Sequence, residues 1–300
     1  MTGTAAIETA QFRAALLRHG LLIGSGVPGL YGTGPRFEAV VARLEHMVGA
    51  LGAGLSPHIM RFPPVMPRTS VERSGYVQAF PHLLGTVHCF HGDDLSHATL
   101  LDRLAEGGDA WLHDQMPTDT VLTPAACYPV YPAMAARGPL AAAGAVVDVQ
   151  SWCFRHEPSP DPARMQAFRL REFVFMGTPA DAAAFLAAWQ ERGAAFIERL
   201  GLPYRLQPAN DPFFGWQGEI MAELQRESAL KTELLIPVTS TSQWHACLSF
   251  NSHRDHFSAS CGLHLGDATC AHTACVGFGL ERLALALFKQ RGFGFDPETL

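Results

Sequence analysis

The stretch on which the reading of this chain turns runs from Cys153 to Phe173, CFRHEPSPDPARMQAFRLREF. It places Arg155, Arg164, Arg169 and Arg171, with Glu157 and Glu172, around a loop broken by Pro158, Pro160 and Pro162. Alternation along its arms predicts two strands, over 147–158 and 167–176. Cys153, Arg155 and Glu157 share a face of the first, and Phe168, Leu170, Glu172 and Val174 a face of the second. A hairpin brings those faces together. An arginine beside an aromatic ring suits a nucleotide, guanidinium to phosphate and ring to base. An exposed hairpin laced by its own ion pairs would show the same pattern.

Elsewhere charge is sparse: charged residues make up 17% of the chain against 48% hydrophobic, an ordinary soluble-enzyme composition. The 300 residues suffice for one large domain or two small ones with a substantial core. A net charge of −6 and a pI near 6.1 disfavour a polyanion such as nucleic acid as the main partner. No run approaches the ~18–20 apolar residues of a membrane helix, and the first residues lack a basic-then-apolar export signal, so a cytoplasmic protein is expected. The 7 cysteines are scattered without a C-x-x-C pair, as suits free thiols or ligands gathered from distant segments better than a disulfide framework. Among the 22 lysines and arginines only Lys231 and Lys289 are lysine, which draws attention to both.

Helices are expected over 7–19 and 36–52. In the second, Phe37, Val40, Val41, Leu44, Met47 and Val48 recur at helical spacing, and Gly52 reads as a stop. Residues 61–92, rich in proline and aromatics, read as a segment that extends and turns repeatedly. Further strands are expected near 121–128, 232–240, 244–251 and 258–265, with helices over 180–200 and from about 277 to 290. Strands without regular βαβ alternation predict an α+β fold, an antiparallel sheet flanked by helices.

A second constellation is TACVGFGLER, 273–282, followed by LALALF. Its glycines allow a sharp turn or close approach, and Arg282 emerges at the start of a helix whose Leu280, Leu283, Leu287 and Phe288 form a core stripe. A dinucleotide fingerprint would need a third glycine and a preceding βαβ unit, and has neither.

Together, FRHE…AFRLREF resembles motif 2 of the class II aminoacyl-tRNA synthetases, and GFGLERLALALF resembles their motif 3. RFPPVMPR, 61–68, stands where motif 1, the dimer-forming segment, is expected. The resemblance implies a homodimer and a single synthetase-like catalytic domain over 1–300, without an N-terminal tRNA-binding arm. It implies that Arg155 holds the ATP α-phosphate, Glu157 lies near the adenine amino group and Phe168 stacks under the adenine. Arg282 would stack on the other face and reach the γ-phosphate, with Mg2+ on the phosphates. Within the class, QAFRLREF and SFNSHRDHF (249–257) resemble the seryl enzymes, where Ser249 and Asn251 would be pocket residues and Lys231 would contact substrate or adenylate. The usual glutamate six positions before that asparagine is His245 here, which departs from the metal-bridged ATP contact of the family.

Cys127, Glu172 and Cys275 point to the branch containing the zinc-dependent seryl enzymes of methanogens and their truncated bacterial relatives. There the trio would hold Zn2+ and leave one position for a substrate amino group. Cys270, beside His272, is a rival third ligand, His88-Cys89-Phe90-His91 reads as packing residues on a helix or strand and not as ligands, and inert buried thiols are the plain alternative. With no long helical arm and no basic stripe, the chain resembles the amino acid:[carrier protein] ligases. That family activates glycine or alanine with ATP and passes it to the phosphopantetheine thiol of an acyl-carrier-type protein. Two alternatives stay open: a minimal seryl-type enzyme charging tRNA, and a non-catalytic synthetase-like binding protein, against which the presence of both Arg155 and Arg282 counts. Arg192, Arg199 and Arg205 are a candidate basic patch for the carrier.

Overall fold

The computed structural model describes residues 3–300, apart from the side chains of Gln217 and Met221. The first elements are α1 (Gly3–Arg18), the small hairpin β1 (Leu22–Gly24) and β2 (Tyr31–Thr33), and α2 (Pro35–Gly52). β3 (His58–Arg61) and β4 (Val65–Pro67) lead into α3 (Arg68–Arg73) and α4 (Tyr76–Ala79). β5 (Thr86–Phe90), α5 (Asp94–Glu106), β6 (Gln115–Leu122) and α6 (Val130–Ala135) follow. The remainder comprises β7 (Ala145–Phe154), β8 (Ala167–Gly177), α7 (Pro179–Arg199), β9 (Arg205–Pro208) and α8 (Gly215–Glu227). Last come β10 (Lys231–Pro237), β11 (Trp244–Arg254), α9 (His256–Cys261), β12 (His272–Gly279) and α10 (Leu280–Arg291).

Seven strands form the main sheet in the order β3-β7-β8-β12-β11-β10-β9. Every pairing is antiparallel except β3 with β7 at one edge. This is the α+β arrangement expected, with one parallel edge strand added. A smaller sheet, β4-β6-β5, stands beside it. Among the described residues no helix is long and apolar enough to cross a membrane.

Side-chain alternation divides the main sheet into two faces. One carries Phe173, Leu248, Phe250, Val276 and Phe278 into the principal core against α2, α7 and α10. Trp189 of α7 stacks on Phe173 at 4.6 Å and meets the edge of Phe278. In the apolar stripe of α2, Phe37, Val40, Val41, Leu44 and Val48 are fully buried here and Met47 partly so. Gly52, read from the sequence as a stop, is the last residue of α2 and packs against Phe173 so closely that a Cβ would overlap the ring. Gly49, one turn earlier, lies under the Arg171 guanidinium, 2.7 Å from where a Cβ would stand. The glycines therefore set how near α2 approaches the sheet. The other face of β8, β11 and β12 is left for the site.

Two expected strands are corrected. The 121–128 strand ends at Leu122, because Pro124 has no N–H for a ladder and the carbonyl of Cys127 accepts from Val130 as α6 begins. Residues 258–265 form no strand: α9 occupies 256–261 and stops at Gly262 in the left-handed region, φ 71°. The third strand is instead β12, and α10 starts at Leu280, not 277. Helices α5 and α8 were not foreseen. α5 buries none of its residues, so it lacks the apolar stripe that periodicity detects, although Asp93 caps it by accepting from the Ser96 N–H at 3.0 Å.

Candidate active site

A cavity of about 810 Å³ opens on the second face of the sheet. Arg155, Glu157, Phe168 and Arg282 line one part of it, Cys127, Glu172, Asn251 and Cys275 another, and Lys231 also reaches it. Residues up to 155 positions apart in sequence thus share one concave surface of the size ligand sites have.

The four arginines of the opening stretch separate by strand phase. Arg155 leaves the end of β7, its Nε donating to the carbonyl of Pro124 at 3.0 Å and its guanidinium lying 5.5 Å from the Phe168 ring centre. Arg164, in the loop, is exposed and 3.9 Å from Glu157. Arg169 and Arg171 are out of phase with Phe168, Leu170 and Glu172 and turn to the opposite face. Arg169 binds Glu281 at 2.7 Å and Glu38 at 2.7 and 2.9 Å, over the Trp152 ring. Arg171 binds both carboxylate oxygens of Asp148 and the carbonyl of Glu45. Two of the four arginines are therefore framework, on the face that alternation sets opposite Phe168 and Glu172.

Arg282, in the first turn of α10, donates from Nε to the carbonyl of Ala163 at 2.7 Å and from a terminal nitrogen to that of Ala246 at 2.8 Å. Burial pulls its pKa down, and the positive charges of Arg164 and Arg155 add to that effect. The group stays charged, in a field that an anion would relieve. The loop supplying Ala163 is pinned by Asp161. One Asp161 oxygen accepts from the Ala163 N–H, and the other meets Gln243 at 3.1 Å and His245 Nε2 at 3.0 Å. Burial pushes the Asp161 carboxyl up, but the His245 hydrogen bond, the Ala163 N–H and the charges of His245 and Arg164 hold it below the usual range. His245 therefore anchors, through Asp161, the loop behind Arg282.

Cys127 comes from the turn after β6, Glu172 from β8 and Cys275 from β12; their ligand atoms lie within 4.8 Å of one another, all buried. Register explains the grouping. Cys275 pairs with Val174 on one side and Asn251 on the other, and Gly277 pairs with Glu172 and Ser249, so no side chain stands between the donors. A Glu172 oxygen accepts from the Ala126 N–H at 2.8 Å, tying the Cys127 turn to β8. Burial, reinforced by the Cys275 charge, pushes the Glu172 carboxyl up to about 8. The facing sulfurs of Cys127 and Cys275 act on one another, which drives the first thiol up and the second down. Two sulfurs and a carboxylate buried together without a cation repel one another when ionised, and a soft divalent metal removes that repulsion. The donor set fits zinc. Cys270 and Cys89 are exposed, and among the described residues neither joins such a cluster.

Asn251, expected as a pocket residue, lies at the metal end of the cavity, its Nδ2 3.4 Å from the Cys275 sulfur. Lys231 is buried against Asp211 at 2.5 Å and Glu233 at 3.1 Å. Burial works against its charge, but the two carboxylates outweigh it and hold the pKa up. Asp211 also binds Gln225 of α8, so Lys231 supports the base of that helix. His253, 3.7 Å from the Cys275 sulfur, escaped the sequence reading; its only signal was its place two residues beyond Asn251 on the same strand face. The basic patch on α7 and β9 stacks on Trp189, Phe196 and Trp244, and α7 packs on the core face of the sheet, away from the cavity.

This strand order, with the site on the face opposite the helical core, defines a class II aminoacyl-tRNA synthetase-like catalytic fold. The chain superposes on SerRS of M. kandleri, solved in complex with A. aeolicus tRNASec, with a TM-score of 0.78 at 19% identity. It also matches the cytoplasmic serine-tRNA ligase of Naegleria fowleri in complex with AMP, with a TM-score of 0.66 at 14% identity. These alignments cover 96% and 92% of this chain but only 58% and 60% of those. No protein-family model matches the chain. Over 267 residues it is 46% identical to amino acid–[acyl-carrier-protein] ligase 2 of Bradyrhizobium diazoefficiens, covering 89% of this chain and 79% of that one. It is 44% identical to ligase 1 of the same organism, over 89% and 81%. The chain belongs to the amino acid–[acyl-carrier-protein] ligases.

Proposed function

We propose that this ligase activates a small amino acid, glycine or alanine, with ATP and transfers it to the phosphopantetheine thiol of a carrier protein. The observation that carries this reading is the buried Cys127–Glu172–Cys275 cluster opening into the same cavity as Arg155 and Arg282. A metal site alone would suit many enzymes, and a pair of arginines alone would suit any phosphate. Both in one cavity suit the joining of an amino acid to a nucleotide. The membership in the ligase family supports the carrier as acceptor.

Zinc held by Cys127, Glu172 and Cys275 would leave a fourth position for the substrate amine. Those donors are 4%, 3% and 3% exposed, and an amine drawn so deep leaves little room for a side chain, which favours glycine and alanine. Phe168 would lie under the adenine, with Glu157 near its amino group and Arg155 at the α-phosphate. An oxygen of the substrate carboxylate then attacks the α-phosphorus, the bond to the β-phosphate oxygen breaks, and pyrophosphate leaves. Arg155 and Arg282 would stabilise the charge that grows on the phosphates. Mg2+ would accompany the phosphates without a carboxylate from position 245.

In the second step the carrier thiolate attacks the carbonyl carbon of the adenylate, the thioester forms and AMP leaves. No enzyme nucleophile is needed. A homodimer would use the 61–68 segment beside β3, an edge strand whose Ile59 is 71% exposed; sedimentation equilibrium tests it.

The test of the acceptor is to supply radiolabelled glycine or alanine and Mg-ATP with phosphopantetheinylated carrier, with the same carrier lacking the arm, and with total tRNA. Label released by hydroxylamine from the armed carrier alone is expected. Label on tRNA alone would replace this reading with a minimal synthetase.

A further inference from the structure

His253 sits near the end of β11, and groups from three elements hold its ring. Its Nδ1 is 3.3 Å from the hydroxyl of Tyr131 on α6 and 3.3 Å from the hydroxyl of Thr273 on β12. Phe257 of α9 packs edge-on against the ring at 4.9 Å and stacks on Tyr131 at 4.2 Å. Both hydroxyls can donate to Nδ1 when the ring proton sits on Nε2, the tautomer in which the ring offers an N–H on its other side. Nε2 points at the Cys275 sulfur, 3.7 Å away.

The same sulfur lies 3.4 Å from Asn251 Nδ2, so two N–H groups converge on Cys275. Among the described residues, the ligand atoms mutually within 4.8 Å belong to Cys127, Glu172 and Cys275. His253 therefore stands behind the thiolate and not beside the position a metal would take.

We propose that His253 is a positioning residue for the metal-binding thiolate. Its Nε2–H, in the tautomer to which Tyr131 and Thr273 can both donate, donates to Cys275 Sγ, aims the sulfur at the cluster and draws electron density from it. The inference rests on the zinc reading of that cluster and goes beyond it, since it assigns one sulfur a weakened donor strength. A cation on a poorer donor holds an incoming amine more firmly, and partners behind a metal ligand typically matter by ~10–100-fold.

The probe is Co2+ added to the metal-free full-length protein, which reports sulfur donation through its sulfur-to-metal charge-transfer absorption. His253→Phe keeps the packing against Phe257 and removes the N–H. In this variant the band is expected to move to longer wavelength, because sulfur electrons freed from the hydrogen bond lie higher in energy. The KM for the amino acid rises about tenfold or more, with the KM for ATP unchanged. His253→Gln, whose amide can return an N–H, moves the band part of the way back.

Should His253→Phe fail to fold, Thr273→Val keeps the ring, removes one hydroxyl from Nδ1 and gives a smaller shift in the same direction. An unmoved band in whichever of these variants is folded and cobalt-loaded overturns the proposal while leaving the metal site intact. A wild-type protein that shows no charge-transfer band overturns the metal site, and this inference with it.

Discussion

Replacing Arg169 with methionine distinguishes framework arginines from ligand-binding ones in the stretch that first suggested an ATP site. Arg169 is 10% exposed and donates to Glu281, 3% exposed, and to Glu38, 43% exposed. Removing the guanidinium leaves Glu281 with the Arg169 N–H at 2.7 Å as its remaining partner from that residue. Breaking a buried pair from one side costs ~3–5 kcal/mol, whereas the half-exposed Glu38 contact adds less than ~1 kcal/mol. With ~2.1 cal/mol/K of unfolding entropy per residue, 300 residues give ~0.63 kcal/mol/K, so the midpoint should fall by ~5–8 °C.

The same variant should show a particular pH dependence. Burial already holds the Glu281 carboxyl above its usual value of 4.5, with Arg169 pulling it back down. Without that charge it rises further, so folding takes up a proton. The penalty is then smallest below the unfolded pKa and complete once the pH passes the folded one. Thermal unfolding followed by circular dichroism should give a larger deficit at pH 8 than at pH 5. An unchanged midpoint, together with loss of ATP binding, would refute the assignment and place Arg169 in the site.

Arg155→Met and Arg282→Met should differ: ATP–pyrophosphate exchange falls ~100–1,000-fold, as for loss of a charge-stabilising donor, with thermal midpoints moved less than in Arg169→Met, since backbone carbonyls and not a buried carboxylate lose a partner. Lys231→Met leaves Asp211 and Glu233 without their buried partner. It should cost ~3 kcal/mol or more, and hydrogen exchange should quicken first in α8, which Asp211 holds through Gln225. Gly52→Ala gains ~1 kcal/mol of helix propensity but drives a methyl into the Phe173 ring. Overpacking costs ~1–3 kcal/mol, so chemical denaturation should show no net gain in stability.

The elements bearing strong periodicity were legible in the sequence. α2, α7, the β7–β8 hairpin and α10 were placed within a few residues, because each buries an apolar face whose spacing marks it. β12, His272–Gly279, lay outside the expected strands because Gly277 and Gly279, residues depleted in strands, interrupt its run of Thr273, Val276 and Phe278. The glycines read as a helix entrance instead lie in the strand, where Gly277 leaves space beside Glu172. The residues lining the site were legible through a family resemblance; spacing alone could not join Cys127 to Cys275 across 148 positions. What each contributes was less legible. The ion pairs of Arg169 and Arg171 with Glu281, Glu38 and Asp148 join distant segments that spacing does not connect, and Lys231, expected to contact substrate or adenylate, also pairs with Asp211 and Glu233. His253 reaches Cys275 only through a register that composition cannot show.

The most direct test of the central claim is ATP–pyrophosphate exchange, against the twenty amino acids, on full-length protein whose zinc content is measured in the same samples, with Cys127→Ala alongside. Exchange with glycine or alanine by zinc-bearing wild type, absent from the zinc-poor variant, is the expected result. Folded wild type carrying stoichiometric zinc and exchanging with no amino acid would contradict the account.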